Sequence, residues 1–377
     1  MGGSAAAGST LTNSPRRPVL GLALLVGLAI ALVACRDGYG VTGGASPTTG
    51  PAQTSASTTL APTQSPSAEI EPDLPEITDV SQLGAQAIPA LASADWIVVD
   101  FGRAWVSGVG EGIGFYEVQT GLLQGSAAVP QSPCAGMDSG FGALWTATCA
   151  KRGVARIDPQ TGEMTKWVAV DVPTEGESSV GAGEGGIWAI ADGDGCSGGV
   201  LVRIDPKNVD ITNTYDVPEG GSAVRAGLGG IWITYASEDR VVRVDPDTGQ
   251  VVSTIEVGSG PRFLAVGEGG IWVMNQGDGS VSHVDPTSNR VLATIAVDGE
   301  AIFGGDVTVG AGFVWLRGSR ELVAQIDPAT DRVVARIGSP QASGGVHAGE
   351  GQLWIAGHFE KPDGWHAVLY RIPLIDG

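Results

Sequence analysis

Seven of the ten tryptophans in this 377-residue chain stand in one register, at Trp105, Trp145, Trp188, Trp232, Trp272, Trp315 and Trp354, with spacings of 40, 43, 44, 40, 43 and 39 residues. Chance does not place a scarce residue so evenly, and a period near 40 is the mark of a repeat architecture. Around each Trp one phrase recurs: a small apolar stretch, G-x-G, an apolar–Trp pair, a turn, then V-x-x-I-D-P-x-T-G and a further apolar stretch. The clearest copy is F-L-A-V-G-E-G-G-I-W-V-M-N, followed by V-S-H-V-D-P and R-V-L-A-T-I-A-V. Each copy holds four short runs rich in Val, Ile and Trp, separated by turn signals, which is a four-stranded antiparallel meander. Gly, Pro or Asp interrupts every run before a helix could establish itself. The first hairpin of the clearest copy turns at Gly267 to Gly270, where glycine accepts positive φ without penalty. The third turns at D-P-x-T-G, as in Asp158 to Gly162 and Asp245 to Gly249, where Pro presets φ and Gly takes the left-handed position.

Four strands at this period make a propeller blade. The chain therefore reads as all-β, a seven-bladed β-propeller of four-stranded antiparallel blades. After Trp354 it has room for a third strand near His366 to Ile372 and then stops at Gly377. A spare segment, Ala85 to Pro89, is expected to supply the missing outer strand and close the ring, which leaves no exposed edge at the seam.

The N-terminus is an address. Arg16 and Arg17 precede an uncharged run from Val19 to Ala34, sixteen residues long, which is short for a membrane span of about 20 residues and suits a signal peptide over 1–34. It ends in Leu32-Val33-Ala34-Cys35, which resembles the bacterial lipobox; that resemblance implies lipidation of Cys35 and an extracytoplasmic chain held on the outer face of the cytoplasmic membrane. Arg16-Arg17, flanked by Pro15 and Pro18, leaves Sec and twin-arginine export both open. From Val41 to Ser67 there is no charge, and 16 of 27 residues are Ser, Thr or Pro, a composition that builds no core. Residues 35–80 are expected to form a tether and 81–377 the propeller.

Acidic residues outnumber basic ones by 41 to 21, for a formal charge of −20. That balance excludes a phosphate-tracking surface, so no nucleic-acid partner is expected. The expected partners are the membrane, through the lipid, and a protein, peptide or small-molecule ligand; the chain is expected to be a monomer.

The register tryptophans, placed opposite Val224, Leu264 and Val307 on first strands, read as packing between blades. The Asp of each D-P-x-T-G turn (Asp158, Asp205, Asp245, Asp285, Asp327) reads as the cap of its own turn. Cys134 and Cys149 flank a turn in one blade and are expected to form a disulfide outside the cell, with Cys196 left over; a Cys149–Cys196 pair across blades is the alternative. Asp192-Gly193-Asp194-Gly195 lacks the later ligands of a calcium loop and reads as a turn. Histidine is scarce: His283, His347, His358 and His366. The last three fall in the final blade with Glu350, Glu360 and Asp363, and His358 and His366 flank one hairpin. His347, His358, His366 and Glu350 are therefore the catalytic candidates, a set suited to proton transfer or metal binding. Arg225 and Arg262, on or just before first strands of adjacent blades, are the ligand-binding candidates, placed near the central channel where an anion could be held; a structural pairing with Asp or Glu is the alternative. No cofactor or metal is assigned, Mg²⁺ and Ca²⁺ being the ions such carboxylates would admit.

The repeat resembles the surface propellers of the YncE type and, more distantly, the streptogramin (virginiamycin B) lyases. The residues that carry this are V-R-I-D-P (Val202 to Pro206), V-V-R-V-D-P-D-T-G (Val241 to Gly249) and G-E-G-G-I-W-V (Gly267 to Val273), and the resemblance covers roughly residues 85–377. It implies the propeller fold. Those lyases open a cyclic depsipeptide by elimination with a His and Glu set and Mg²⁺, in repeats of the kind P-x-G-I-x-x-G-P-D-G-x-x-W-F-T-E. Here the second-strand phrase is I-W-V or I-W-I and no W-F-T-E occurs, so no catalytic residue is carried over. Two expectations follow: a lipid-anchored module that binds a ligand or protein, or a metal-assisted lyase or lactone-directed hydrolase. The second requires His347, His358 or His366 to converge with carboxylates at the channel mouth.

Overall fold

A computed structural model describes residues 74–90, 94–108, 112–173, 179–192, 199–297, 299–341, 344–361 and 364–374. Cys35, Cys196, Asp194 and the signal segment lie outside them. Among the described residues no helix is long and apolar enough to cross a membrane.

The local unit is a hairpin that turns on two residues, both at positive φ, in all seven repeats: Phe101-Gly102, Phe141-Gly142, Glu184-Gly185, Leu228-Gly229, Glu268-Gly269, Ala311-Gly312 and Glu350-Gly351. Two left-handed residues give a turn whose twist matches that of the flanking strands. The first position is never glycine, although the sequence reading reserved positive φ for glycine; Glu268 holds φ 47°. Two-residue turns also fix the register. Trp232 lies opposite Arg225, Trp272 opposite Ala265 and Trp315 opposite Thr308, one residue later than the expected Val224, Leu264 and Val307. A one-residue slip exchanges the faces of a strand, so the residue sharing a face with each Trp is the one seven positions before it.

Seven antiparallel four-stranded sheets result. Their inner strands are Trp96–Asp100, Pro133–Gly140, Val180–Gly183, Val224–Gly227, Pro261–Gly267, Asp306–Gly310 and Val346–Gly349, in blades 1 to 7. Each inner strand neighbours the next, and that of blade 7 neighbours that of blade 1, so the ring is closed. The seam forms as the sequence indicated: Gln86–Pro89 pairs antiparallel with Val368 to Arg371 and completes blade 7. Just upstream, Ile77–Thr78 pairs in parallel with Arg336 and Ile337 as a fifth strand on blade 6. A 3₁₀ turn, Val80–Leu83, joins the two, capped by Asp79 and ended by Gly84 at φ 67°. The segment thus straps blades 6 and 7 together.

The register tryptophans are buried between blades, six of them with no exposed area and Trp315 with 2%. Six also donate their indole N–H to the carbonyl five residues earlier, at 3.0–3.3 Å: Trp105 to Asp100, Trp145 to Gly140, Trp188 to Gly183, Trp232 to Gly227, Trp272 to Gly267 and Trp315 to Gly310. A Trp at this position therefore fills the gap and also satisfies an inner-strand carbonyl beside the turn. Trp354 is the exception, its buried N–H having no hydrogen-bond partner.

Neighbouring blades are clasped turn to turn. Glu184 accepts from Gly229 N–H (2.9 Å), Glu268 from Gly312 N–H (3.0 Å) and Glu350 from Gly102 N–H (2.8 Å). On the third strands, Arg203 and Arg243 lie over Trp188 and Trp232 and donate to Pro246 and Pro286 of the next blade's turn. The turn aspartates accept backbone N–H groups two and three residues on, as in Asp158 from Gln160 and Thr161. These bonds hold the carboxyls of Asp158, Asp205 and Asp245 below the usual range, as does the Ser288 hydroxyl, the largest influence, together with backbone N–H groups for Asp285.

Cys134 and Cys149 form the expected disulfide within blade 2, their Cα atoms 5.1 Å apart. Cys149 stands one residue past the second strand, Ala143–Thr148, and its N–H donates to Ser132.

Candidate functional site

An inner strand is the edge of its sheet, and no backbone ladder joins it to the next blade. Its outward N–H and C=O groups face the channel and need partners from side chains. Side chains supply them among the described residues. Asp138 accepts from Ala182 N–H (2.8 Å), Ser179 from Val224 N–H (2.8 Å) and His347 Nδ1 from Val99 N–H (3.3 Å), while the Asp306 carboxylate accepts from Val346 N–H. Arg225 Nη1 donates to the carbonyls of Val180 and Val224, both at 3.0 Å. Asp138, Ser179, Arg225, Asp306 and His347 thus each tie one blade to the next.

At the level opposite the register Trp, the seven blades present Val98, Asp138, Gly181, Arg225, Ala265, Thr308 and His347. Inner-strand residues of all seven blades, with Asp306 among them, enclose a cavity of about 250 Å³. The Arg225 guanidinium lies over the Trp96 ring, 5.4 Å from its centroid, and the Trp96 indole donates to Met137 O at 3.1 Å.

Burial dominates the electrostatics. It pushes the Asp306 carboxyl up to about 7, against the opposing influence of Arg225 and of the N–H groups of Val307 and Val346. Asp138 is raised by the same desolvation, opposed by Arg225 and by its bonds from Ala182 and Ser139. His347 is lowered to about 4, by burial first and the Arg225 charge second. A neutral His347 whose Nδ1 accepts from Val99 carries its proton on Nε2, assigned from that hydrogen bond.

The sequence-derived candidates separate. His347 lines the cavity. Glu350 does not; it is the third of the turn glutamates at positive φ, committed to Gly102 N–H, with its carbonyl accepting from Gln119. His358 and His366 lie on the long hairpin Gln352–Lys361 and Gly364–Pro373, where His358 faces Ala367 and His366 faces Phe359. Facing pairs share a side and successive residues alternate, so these two histidines are on opposite faces of the sheet. His283 stacks on Trp272 at 3.9 Å and meets Asp331 at 2.7 Å, taking in blade 5 the place that Arg203 and Arg243 take in theirs. Convergence of the final-blade histidines with carboxylates, the condition set for a lyase or hydrolase, is met by His347 alone. Among the described residues no three His, Cys, Asp or Glu side chains gather as a metal site. Asp192 is engaged by Arg152, which also pairs with Asp171.

The two arginines also part. Arg225 is in the channel. Arg262 is the extra residue of a bulge between Pro261 and Phe263, which turns it out of register; it lines a separate hollow of about 540 Å³ beside the exposed Phe303. Asp138, Asp306 and Trp96 were not singled out from the sequence. The usable signal was the column seven residues before each register Trp, where Asp138 stands among Val, Gly and Ala.

No protein-family model and no curated protein matches the sequence. Solved structures do match in shape. "Structure of U3-55K" aligns over 77% of this chain and 98% of that one, at 12% identity and a TM-score of 0.62. "Crystal structure of RRP9 WD40 repeats" aligns over 77% and 97%, at 12% identity and 0.63. BamB from Moraxella catarrhalis aligns over 76% and 85%, at 13% and 0.51. These are similarities to WD40-repeat and BamB structures, and at such identities they speak for the propeller fold alone.

Proposed function

We propose that this chain is an extracytoplasmic lipoprotein, anchored through Cys35, whose propeller is a binding module that takes its ligand in the channel cavity at Arg225. The observation that carries this reading is the break in sevenfold likeness at one level of the channel. The register tryptophans and their turns recur from blade to blade, whereas there an arginine, an aspartate and a histidine come together on strands far apart in sequence. A concave site with a few convergent polar groups on an apolar wall is the usual form of a ligand pocket. The lipobox-like L-V-A-C and the Ser/Thr/Pro-rich tether support the location, and the resemblance to YncE-type surface propellers agrees with it.

Two measurements test the reading on the full chain. In cells labelled with palmitate, Cys35→Ser is expected to lose both the label and the membrane fraction; a membrane-bound, labelled variant would end the anchor assignment. In a thermal-shift screen, a ligand at a hundred times its Kd stabilises by about 2.7 kcal/mol, and ligands are expected to raise the Tm of the native protein but not of Arg225→Gln. Ligands that stabilise both proteins equally bind elsewhere and would remove the channel from the proposal.

A further inference from the structure

The channel cavity keeps open donors on Arg225 and His347, and those donors select a ligand class. Arg225 spends only Nη1 on the protein, bonding Val180 O and Val224 O, which leaves Nε and Nη2 for a ligand. His347 spends Nδ1 as an acceptor from Val99, which leaves Nε2–H as a donor. The carboxylates each accept two backbone N–H bonds. Asp138 accepts from Ser139 N–H at one oxygen and from Ala182 N–H at the other, both at 2.8 Å; Asp306 accepts from Val307 at 2.8 Å and from Val346. The aromatic face that could receive a cationic ligand, that of Trp96, is already covered by the Arg225 guanidinium.

We infer that this cavity binds a small carboxylate, paired with Arg225 and taken up together with one proton that resides on Asp306. The inference rests on the channel reading above and narrows it. With Asp138 and Asp306 ionised, an entering carboxylate would set three buried negative charges against the one positive charge of Arg225, unless one carboxyl neutralises and so holds the excess at the single negative charge present without ligand. Asp306 is the group poised to do so: it is buried and titrates near 7. Protonated, it has an O–H to donate to the ligand. The groups facing it are Arg225 from blade 4, His347 from blade 7, Asp138 from blade 2 and Asp95 ahead of the blade 1 strand. Its own sheet adds Arg317, the residue opposite it, which is bonded to the carbonyls of Gly318, Gln341 and Ala356. The cavity-lining residues of blades 3 and 5 are Ala182, Ala265 and Val266, which do not titrate. The proton comes from solvent, Asp306–COO⁻ becoming Asp306–COOH, so charge balances with ligand and proton entering together.

The test is isothermal titration of the full chain in detergent with three probes of similar size, acetate, ethylammonium and acetamide, in buffers of different ionisation enthalpy from pH 6 to 8.5. Acetate is expected to bind, with proton uptake rising toward one per acetate above pH 7 and affinity falling about tenfold per pH unit there. Arg225→Gln is expected to abolish binding, and Asp306→Asn to keep it while removing both the uptake and the pH dependence. Uptake that survives in Asp306→Asn, or ethylammonium binding with proton release, overturns the inference. If acetate fails while ethylammonium or acetamide binds the native protein and not Arg225→Gln, the ligand class is wrong and the channel reading stands. If none of the probes, nor any hit of the thermal screen, distinguishes the native protein from Arg225→Gln, the channel reading falls as well. Should Arg225→Gln lose its far-UV circular dichroism, Arg225→Lys replaces it, with weakened acetate binding as the expected result; unchanged affinity would count against the arginine pairing.

Discussion

The turn face of the ring and the interior of its channel are built from the same inner strands and obey opposite rules. On the turn face the same few devices recur from blade to blade. Seven two-residue turns share their backbone conformation, three glutamates clasp the next blade identically, and five aspartates cap the same turn. In the channel, one level of the same strands carries seven positions of which no two adjacent ones are alike. Likeness marks what every blade must do to stack. Its loss marks what only the assembled ring can do, because a cavity on the rotation axis is shared by all blades and needs each residue once.

The sharpest way to break that comparison is to exchange residues between the two kinds of position. Trp188 is fully buried, stacked near Tyr215 and bonded to Gly183 O. Trp188→Ala is expected to cost about 3–5 kcal/mol in urea denaturation, from lost burial and a cavity between blades 3 and 4. Thr308 sits at the channel level where blade 1 already carries valine. Thr308→Val is therefore expected to stay within about 0.5 kcal/mol. Similar losses in the two variants would erase the distinction between repeated and unrepeated positions.

A smaller effect tests whether the clasps contribute energy or only follow from the geometry. Glu268→Ala gives blade 5 the turn that blade 6 has naturally at Ala311, with the left-handed backbone retained. The variant loses one charge-assisted bond to Gly312 N–H and is expected to lose about 1 kcal/mol. An unchanged denaturation midpoint would show the clasp to be neutral and the shared turn geometry sufficient.

The same comparison explains how much the sequence disclosed. Blade count, strand count and seam were legible because each rests on a signal repeated along the chain: the Trp register, D-P-x-T-G, and a spare strand at one end matching a missing strand at the other. The disulfide was legible from two cysteines bracketing one hairpin. The strand register was missed by one residue because it depends on whether the turn has two residues or three, and Glu268 at positive φ defeats the rule that glycine marks the spot. The site was missed in part for a different reason. Asp138 meets Ala182 across 44 positions and His347 meets Val99 across 248, so its partners become neighbours only when the ring closes. Scarcity drew attention to His358 and His366, which the hairpin places on opposite faces, and away from Asp306, one of many aspartates.

Titration separates the two regions most finely, and by opposing signs. On the turn face the carboxyls of Asp158, Asp205, Asp245 and Asp285 lie below their ordinary values; their contribution is present above the unfolded carboxylate range and is lost as pH falls through their lowered values. The channel acts at higher pH. Asp306 binds its proton up to about 7, whereas its ordinary value is 3.8, so between those limits the folded state holds more protons and stability falls as pH rises. His347 stays neutral down to about 4 against an ordinary 6.5; there the unfolded state holds more protons and stability rises with pH. The two slopes oppose each other from about pH 4 to 6.5, and the native protein should show only a shallow channel contribution across that window. Chemical denaturation from pH 4 to 7.5 resolves it. Asp306→Asn is expected to unmask a stability that climbs to pH 6.5, and His347→Gln one that declines toward pH 7. If both variants instead follow the native curve at a constant offset, neither group titrates in the channel, and the pH-linked behaviour of this protein resides in its repeated turns.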